Sequence, residues 1–252
     1  ELFMTVDEAI QKANEGDIAS MVALGDYYGQ NEDYENALVW YRKAAEQGNL
    51  QAMYRAFLLD CMTLLAHVEV HPSESDDAVF HEINRYAKTL QKFTDVDLEP
   101  HYTDSKYNYA DSLHYRDNYT DLLALVQNES QPRFRVMYAL ALNGIAGSLS
   151  NDDEKIEYYK ASSDILREVL NSGYIPANDR SEQVNLAIAL GTYTDLIRVG
   201  MFANADVAGA YHIITSQMEN LTNEDAKSVL SLVLKHYQVK KGFFGTSITY
   251  VD

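Results

Sequence analysis

The stretch that decides the fold is "NEDYENALVWYRKAAEQGNLQAM", Asn31 to Met53. Within it Tyr34, Ala37, Leu38, Tyr41 and Ala44/Ala45 recur at steps of three and four residues, which places them on one face of an amphipathic helix. Gly48 stands where a left-handed cap would end that helix. Upstream, Ile18, Met21, Val22, Gly25 and Tyr28 carry the same period, and only the polar link Gly29 to Asp33 separates the two runs. Helices joined by so short a link run antiparallel, as a hairpin.

Working outward, the same period marks further helices. Ile156, Tyr159, Ser163, Leu166 and Leu170 define one, entered at Asn151 and left at Gly173. Leu186, Ala189, Leu190, Tyr193 and Ile197 define another, ending near Gly200. Val207, Ala210, Tyr211, Ile214 and Met218 define a third, and Ala226, Val229, Leu230, Val233 and Tyr237 a fourth. Helices near 50–69, 76–93, 104–116, 118–127 and 133–148 fill the rest. "TVDE" at Thr5 and "TNED" at Thr222 match the capping-box pattern of a helix start. The segments amount to about twelve helices, or roughly six hairpins, at the repeat lengths usual in such arrays. No β alternation is sustained until the C terminus, where Gly242 and Gly245 bracket Phe243–Phe244 and Ser247 to Val251 reads as a short strand.

Composition narrows the partners. The formal charge is -18, from 20 basic and 38 acidic side chains. Such a surface repels phosphate backbones and anionic headgroups; it would steer basic peptides or basic protein faces toward itself, and the plainer reading of the charge is solubility alone. Nucleic acid and membranes are therefore not expected as partners. Cys61 is the only cysteine, which rules out an intrachain disulfide and fits a reducing, cytoplasmic setting. It lies in the apolar run "LLDCMTLLA", as a structural buried thiol would. The longest apolar run, Val136 to Leu142, is too short to cross a bilayer. The chain begins at Glu1 rather than Met, as a trimmed or processed chain would, so a leader or anchor could precede it.

Gly16 to Met53 resembles a Sel1-like repeat, a relative of the tetratricopeptide repeat. The likeness rests on Leu24–Gly25, Tyr28, Ala37, Trp40–Tyr41, Lys43–Ala45 and Gln47–Gly48, with Ala52 opening the next unit. The loop after Tyr28 is shorter than in Sel1-like units and closer to the plain tetratricopeptide form. Where a second Leu-Gly would stand, the chain has Ala56–Phe57. Weaker echoes run from Tyr138 to Ser162 and from Ala187 to Ile213. The resemblance implies an all-α fold, an α-solenoid in which antiparallel helix hairpins stack into a right-handed superhelix. It also implies a scaffold or adaptor role without catalysis. The expected organisation is one helical-repeat domain over 1–238, clearest at 16–53, followed by a short extended tail over 239–252. That tail reads either as a cap on the last hairpin or as a docking peptide.

No phosphate loop, nucleophile elbow or zinc-protease motif occurs. A metal-binding alternative rests on "HVEVHPSESDDAVFHE", in which His67 and His71 are four residues apart and His81 with Glu82 follows. The plainer reading there is a solvated loop and an acidic helix start at Asp76 and Asp77. From His101 to Asp121 the chain is dense in tyrosine and aspartate. Tyr102, Tyr107, Tyr109, Asp111 and Tyr115 are the candidate partner-binding residues, because tyrosine offers a rigid amphipathic surface and aspartate suits a basic ligand. The plainer reading of these is packing between hairpins. The expected function is a non-enzymatic scaffold for a protein or peptide, with no cofactor. The alternatives are a metal-binding protein using His67–Glu82 and a regulatory repeat domain that senses a peptide.

Overall fold

The computed structural model of the chain describes residues 4–200 and 206–252. These residues are helical almost throughout and end in a small two-stranded sheet. They form two compact units, Glu1–Ser112 and Leu113–Asp252, with the boundary inside a helix. No described helix is long and apolar enough to cross a membrane.

The first unit holds α1 (Val6–Asn14), α2 (Ile18–Gln30), α3 (Tyr34–Glu46), α4 (Leu50–Val70), α5 (Ser75–Phe93) and most of α6 (His101–Tyr115). From α1 to α5 each helix packs on the next. Leu24, Ala37, Ala44, Ala52, Ala56, Phe57, Leu64, Ile83 and Leu90 form the buried core. Alanine at the tightest positions lets the backbones approach, and larger residues fill what remains.

The turns explain why these helices pair so regularly. Gly16, Glu32 and Gly48 all have positive φ, at 98°, 59° and 87°. Each is followed by an Asp or Asn whose side chain caps the next helix: Asp17, Asp33 and Asn49. Each turn carries the same pair of backbone hydrogen bonds. Asp17 N–H donates to Lys12 O, Asp33 N–H to Tyr28 O and Asn49 N–H to Ala44 O, while the left-handed residue bonds three residues back. This is the Schellman arrangement, and its last residue doubles as the next N-cap. The left-handed positions recur every sixteen residues, at 16, 32 and 48.

The second unit holds α7 (Tyr119–Val126), α8 (Pro132–Ser148), α9 (Asp152–Asn171), α10 (Arg180–Leu190), α11 (Thr192–Arg198), α12 (Val207–Met218), α13 (Glu224–Leu234), β1 (Tyr237–Gly242) and β2 (Gly245–Tyr250). Here the partners are no longer only sequence neighbours. α8 packs on α7, α9 and α10; α9 packs on α11; α10 packs on α13; and α12 packs on both α13 and β2. α10 is buried on nearly every side, through Gln183, Val184, Asn185, Leu186, Ala187, Ala189 and Leu190. A helix enclosed on all faces has no amphipathic stripe to read, so periodicity does not reveal its first half.

Three boundaries differ from the sequence reading. The segment ending near Gly200 is two helices, interrupted at Gly191. The last helix starts from an Asn223 cap rather than Thr222: Asn223 accepts from Asp225 N and Ala226 N, whereas the Thr222 hydroxyl is spent on Asn178 Oδ1. The C terminus is not a single extended tail from 239. It is an antiparallel hairpin that begins at Tyr237, a residue the helical period claims, and pairs Tyr237 with Tyr250.

Candidate functional site

A groove in the first unit runs over α2, α3 and α4. Its volume is about 450 Å3, and Asp26, Tyr34, Tyr41, Arg55, Leu58 and Met62 line it. Its floor is built from the residues that carry the repeat pattern. Tyr41 is buried, and its ring lies against Gly25, where any Cβ would overlap it. The small residue of the Leu-Gly pair is thus the seat for the tyrosine of the next helix. Tyr41 donates its hydroxyl hydrogen bond to Asp26 Oδ1. Burial first, and that bond second, push its pKa well above the ordinary phenol value, with Arg55 opposing weakly. Tyr41 therefore stays protonated and holds Asp26 at the groove edge.

The rim is different in character. Tyr34 and Met62 are about half exposed, and Arg55 is also exposed. Glu32 and Glu35, exposed, and the cap Asp33 lie at the turn from which Tyr34 enters the groove. The charged residues that line this trough are Asp26 and Arg55, and the acidic turn from Glu32 to Glu35 flanks the lining residue Tyr34 in sequence. Methionine and tyrosine at such a rim adapt to varied apolar ligands.

Beside this floor a polar cluster joins α3, α4 and α5. Arg42 Nη2 donates to Asp60 Oδ1 at 3.0 Å, and Arg42 Nε donates to Glu82 Oε1 at 2.6 Å. Arg85 Nη2 approaches Glu82 Oε2 at 3.7 Å. The Asp60 carboxyl is wholly buried, and no N–H or hydroxyl donor of the described residues reaches its Oδ2, which leaves its bond with the Glu82 carboxyl to be made through a shared proton. Burial, then the adjacent Glu82, push Asp60 up to about 8 against the pull of Arg42. Burial alone would raise Glu82 too, but bonding with Asp60 and Arg42, together with the charges of Arg42 and Arg85, carry it below its ordinary value. One proton is thus held on Asp60, the member with least water, while Glu82 keeps the charge. The Tyr86 hydroxyl beside them is buried and pushed up to about 12 by burial first and by Glu82 next.

The tyrosine-rich segment is placed differently from the surface expected of it. Tyr107 and Asp111 are buried. Tyr102 donates to Asn84 Oδ1, and Tyr109 donates to Asp77 Oδ1 at 2.7 Å while stacking on Phe80 with centroids 4.4 Å apart. These four are spent inside the first unit. Tyr115, in the second unit, is 47% exposed and accepts from Arg180 Nη1 at 3.4 Å.

Nor are the three histidines gathered. His67 Nδ1 lies 3.3 Å from Asp76 Oδ1, while His71 caps the end of α4 and His81 is exposed on α5. Among the described residues no three His, Cys, Asp or Glu side chains are close enough to share an ion. Asp76, expected at a solvated helix start, is fully buried instead: it accepts from Ser73 N at 3.1 Å and from Ser112 Oγ at 2.7 Å. Cys61 is buried, and burial lifts its thiol to about 11, out of reach of a thiolate role.

Periodicity does not single out the Arg42–Asp60–Glu82 cluster. Its signal is present in the sequence, however. Asp60 lies three residues after Phe57 and four before Leu64, on the apolar face of its own helix, where a charge needs a partner. No protein-family model, curated protein or solved structure matches this chain.

Proposed function

We propose that this protein is a non-enzymatic scaffold of the Sel1-like or tetratricopeptide-like kind, an α-solenoid whose stacked hairpins wind as a right-handed superhelix and bind a protein or peptide. The carrying observation is the groove over α2, α3 and α4, an open apolar trough on consecutive hairpins with a rigid Tyr41 floor. The recurrence of one turn at 16, 32 and 48 supports the repeat reading independently of side-chain pattern. The ligand is a short segment with an apolar anchor over Leu58 and Met62 and a basic flank at Glu32, Asp33 and Glu35. The net charge of -18 adds long-range steering of that basic flank.

The test is selection from a random displayed peptide library on the immobilised full chain. Enriched peptides should share an apolar anchor with a nearby Lys or Arg. Their affinity should fall at least tenfold on Met62→Asp and also on Glu32→Lys/Glu35→Lys, with the fold unchanged by circular dichroism. Peptides that bind all variants equally would show that the groove is not the binding surface.

A further inference from the structure

The C-terminal hairpin places two aromatic rings where its fold requires none. Phe243 and Phe244 form the two-residue turn between β1 and β2, and they are 97% and 100% exposed. Their rings meet edge to face with centroids 5.2 Å apart. A two-residue turn is satisfied by small or polar residues, and here Gly245, with φ 125°, takes the positive dihedral. Neither Phe has positive φ, so the aromatic groups contribute nothing the turn needs. A large apolar pair at a fully solvated tip, against local structural demand, marks a contact surface.

The base of the hairpin is fixed, and no described residue covers its tip. Tyr237 is buried, its hydroxyl 2.9 Å from Thr194 Oγ1, and its ring packs near Tyr211 and Tyr250. Val251 N–H donates to His236 O at 2.7 Å, closing the open end of the ladder. Every residue from Gln238 to Ser247 is exposed. At the usual strand rise the tip stands about 17 Å beyond Tyr237. That length exceeds the Debye length of about 8 Å at physiological salt, so charges at the base of the hairpin are largely screened at its tip.

The tip carries its own charge of the other sign. Between Tyr237 and Tyr250 the only charged side chains are Lys240 and Lys241. They pair across the ladder with Ser247 and Thr246, directly behind the aromatic turn. The apolar part is therefore one turn deep and is followed at once by a basic and hydroxyl-bearing collar. That order of layers matches the surface of an anionic bilayer, with acyl chains beneath negatively charged headgroups.

We propose that the Phe243–Phe244 tip inserts into anionic lipid bilayers, with both rings at the acyl boundary and Lys240 and Lys241 among the headgroups. The whole-chain charge argues against a membrane partner, but the lysine-only hairpin is the place where that average does not apply.

The experiment is flotation of the full chain with phosphatidylcholine vesicles, with and without phosphatidylglycerol, at low and high salt. A Phe243→Trp variant serves as a depth reporter, because the sole native tryptophan, Trp40, is buried in the first unit. The expected results are binding to anionic vesicles, a blue-shifted Trp emission quenched by brominated acyl chains, and at least tenfold weaker binding for Phe243→Ser/Phe244→Ser. Lys240→Gln/Lys241→Gln should lose the preference for phosphatidylglycerol. All variants should keep the wild-type melting temperature, since the altered side chains are exposed. No vesicle binding, or equal binding by the serine variant, overturns the proposal. So does concentration-dependent self-association abolished by the serine variant without any vesicle binding, which would assign the tip to a second copy of the chain.

Discussion

The substitution Asp60→Asn tests the proton held in the Arg42–Asp60–Glu82 cluster. Asp60 titrates near 8 in the folded chain and near 3.8 when free in water. Between those values the native state holds a proton that the unfolded state has released. Stability is therefore full below about pH 4 and falls as pH rises, by about 1.4 kcal/mol per pH unit, until Asp60 ionises. From pH 5.5 to 7.5 the loss is about 2 to 3 kcal/mol. Glu82 shifts the other way, and its contribution is lost only as pH falls through its lowered pKa, outside this window. The carboxamide of the variant keeps an acceptor for Arg42 and offers an N–H toward Glu82, so it mimics the protonated acid at every pH. The assay is urea unfolding of the full chain and the variant from pH 5.5 to 8.5. The midpoint of the variant minus that of wild type should grow by about 1 M between pH 5.5 and pH 7.5, for a denaturant slope of about 2 kcal/mol/M. Equal pH slopes, or a wild type that gains stability with rising pH, would refute the placement of the proton.

Gly25→Ala puts a methyl group into the Tyr41 ring. The overlap should cost about 1–3 kcal/mol, more than the helix-propensity gain of about 1 kcal/mol returns, and thermal denaturation should show a lower melting temperature. Glu32→Gly should raise stability by up to about 1 kcal/mol, because Glu32 holds the left-handed position that Gly16 and Gly48 occupy in the equivalent turns; a chemical-denaturation midpoint checks it. Gln183 is buried and accepts from Thr222 N and Asn223 N at 2.8 Å each while donating to Thr222 Oγ1 and Ala177 O. Gln183→Ala leaves several of those groups unpaired and should destabilise by about 3 kcal/mol, with hydrogen exchange accelerating first at the start of α13.

Helix existence is legible wherever a helix has one buried face. α3 shows this: Ala37, Leu38, Tyr41, Ala44 and Ala45 are all buried, as their spacing requires, while Tyr34, first in the same stripe, is exposed at the rim of the groove. α10 is not legible from its start, because it buries polar Gln183 and Asn185 along with its apolar residues. The hairpin is half legible. Its second strand follows β propensity, but its first carries Gln238, Lys240 and Lys241 and follows a helical run, so only pairing across Gly242–Gly245 reveals it. The candidate groove is less legible than the helices that form it. A face of solvent and a face awaiting a ligand have the same composition, and what separates them is curvature between neighbouring helices. The tyrosines of α6 mislead for a related reason. Their hydroxyls find Asn84 and Asp77 on α5, partners that no local spacing discloses.

The turns at 16, 32 and 48 have a consequence for how this chain can grow. Each joint is bonded locally: two of the last carbonyls of one helix and one of the first amides of the next are met by two adjacent residues. A joint of that kind is indifferent to what lies on either side of it. Duplicating the segment Asp17–Gly48 in tandem would add one hairpin that begins and ends on the same joint. Length in this part of the molecule is therefore a modular variable, which can change by whole hairpins without a new solution for the ends.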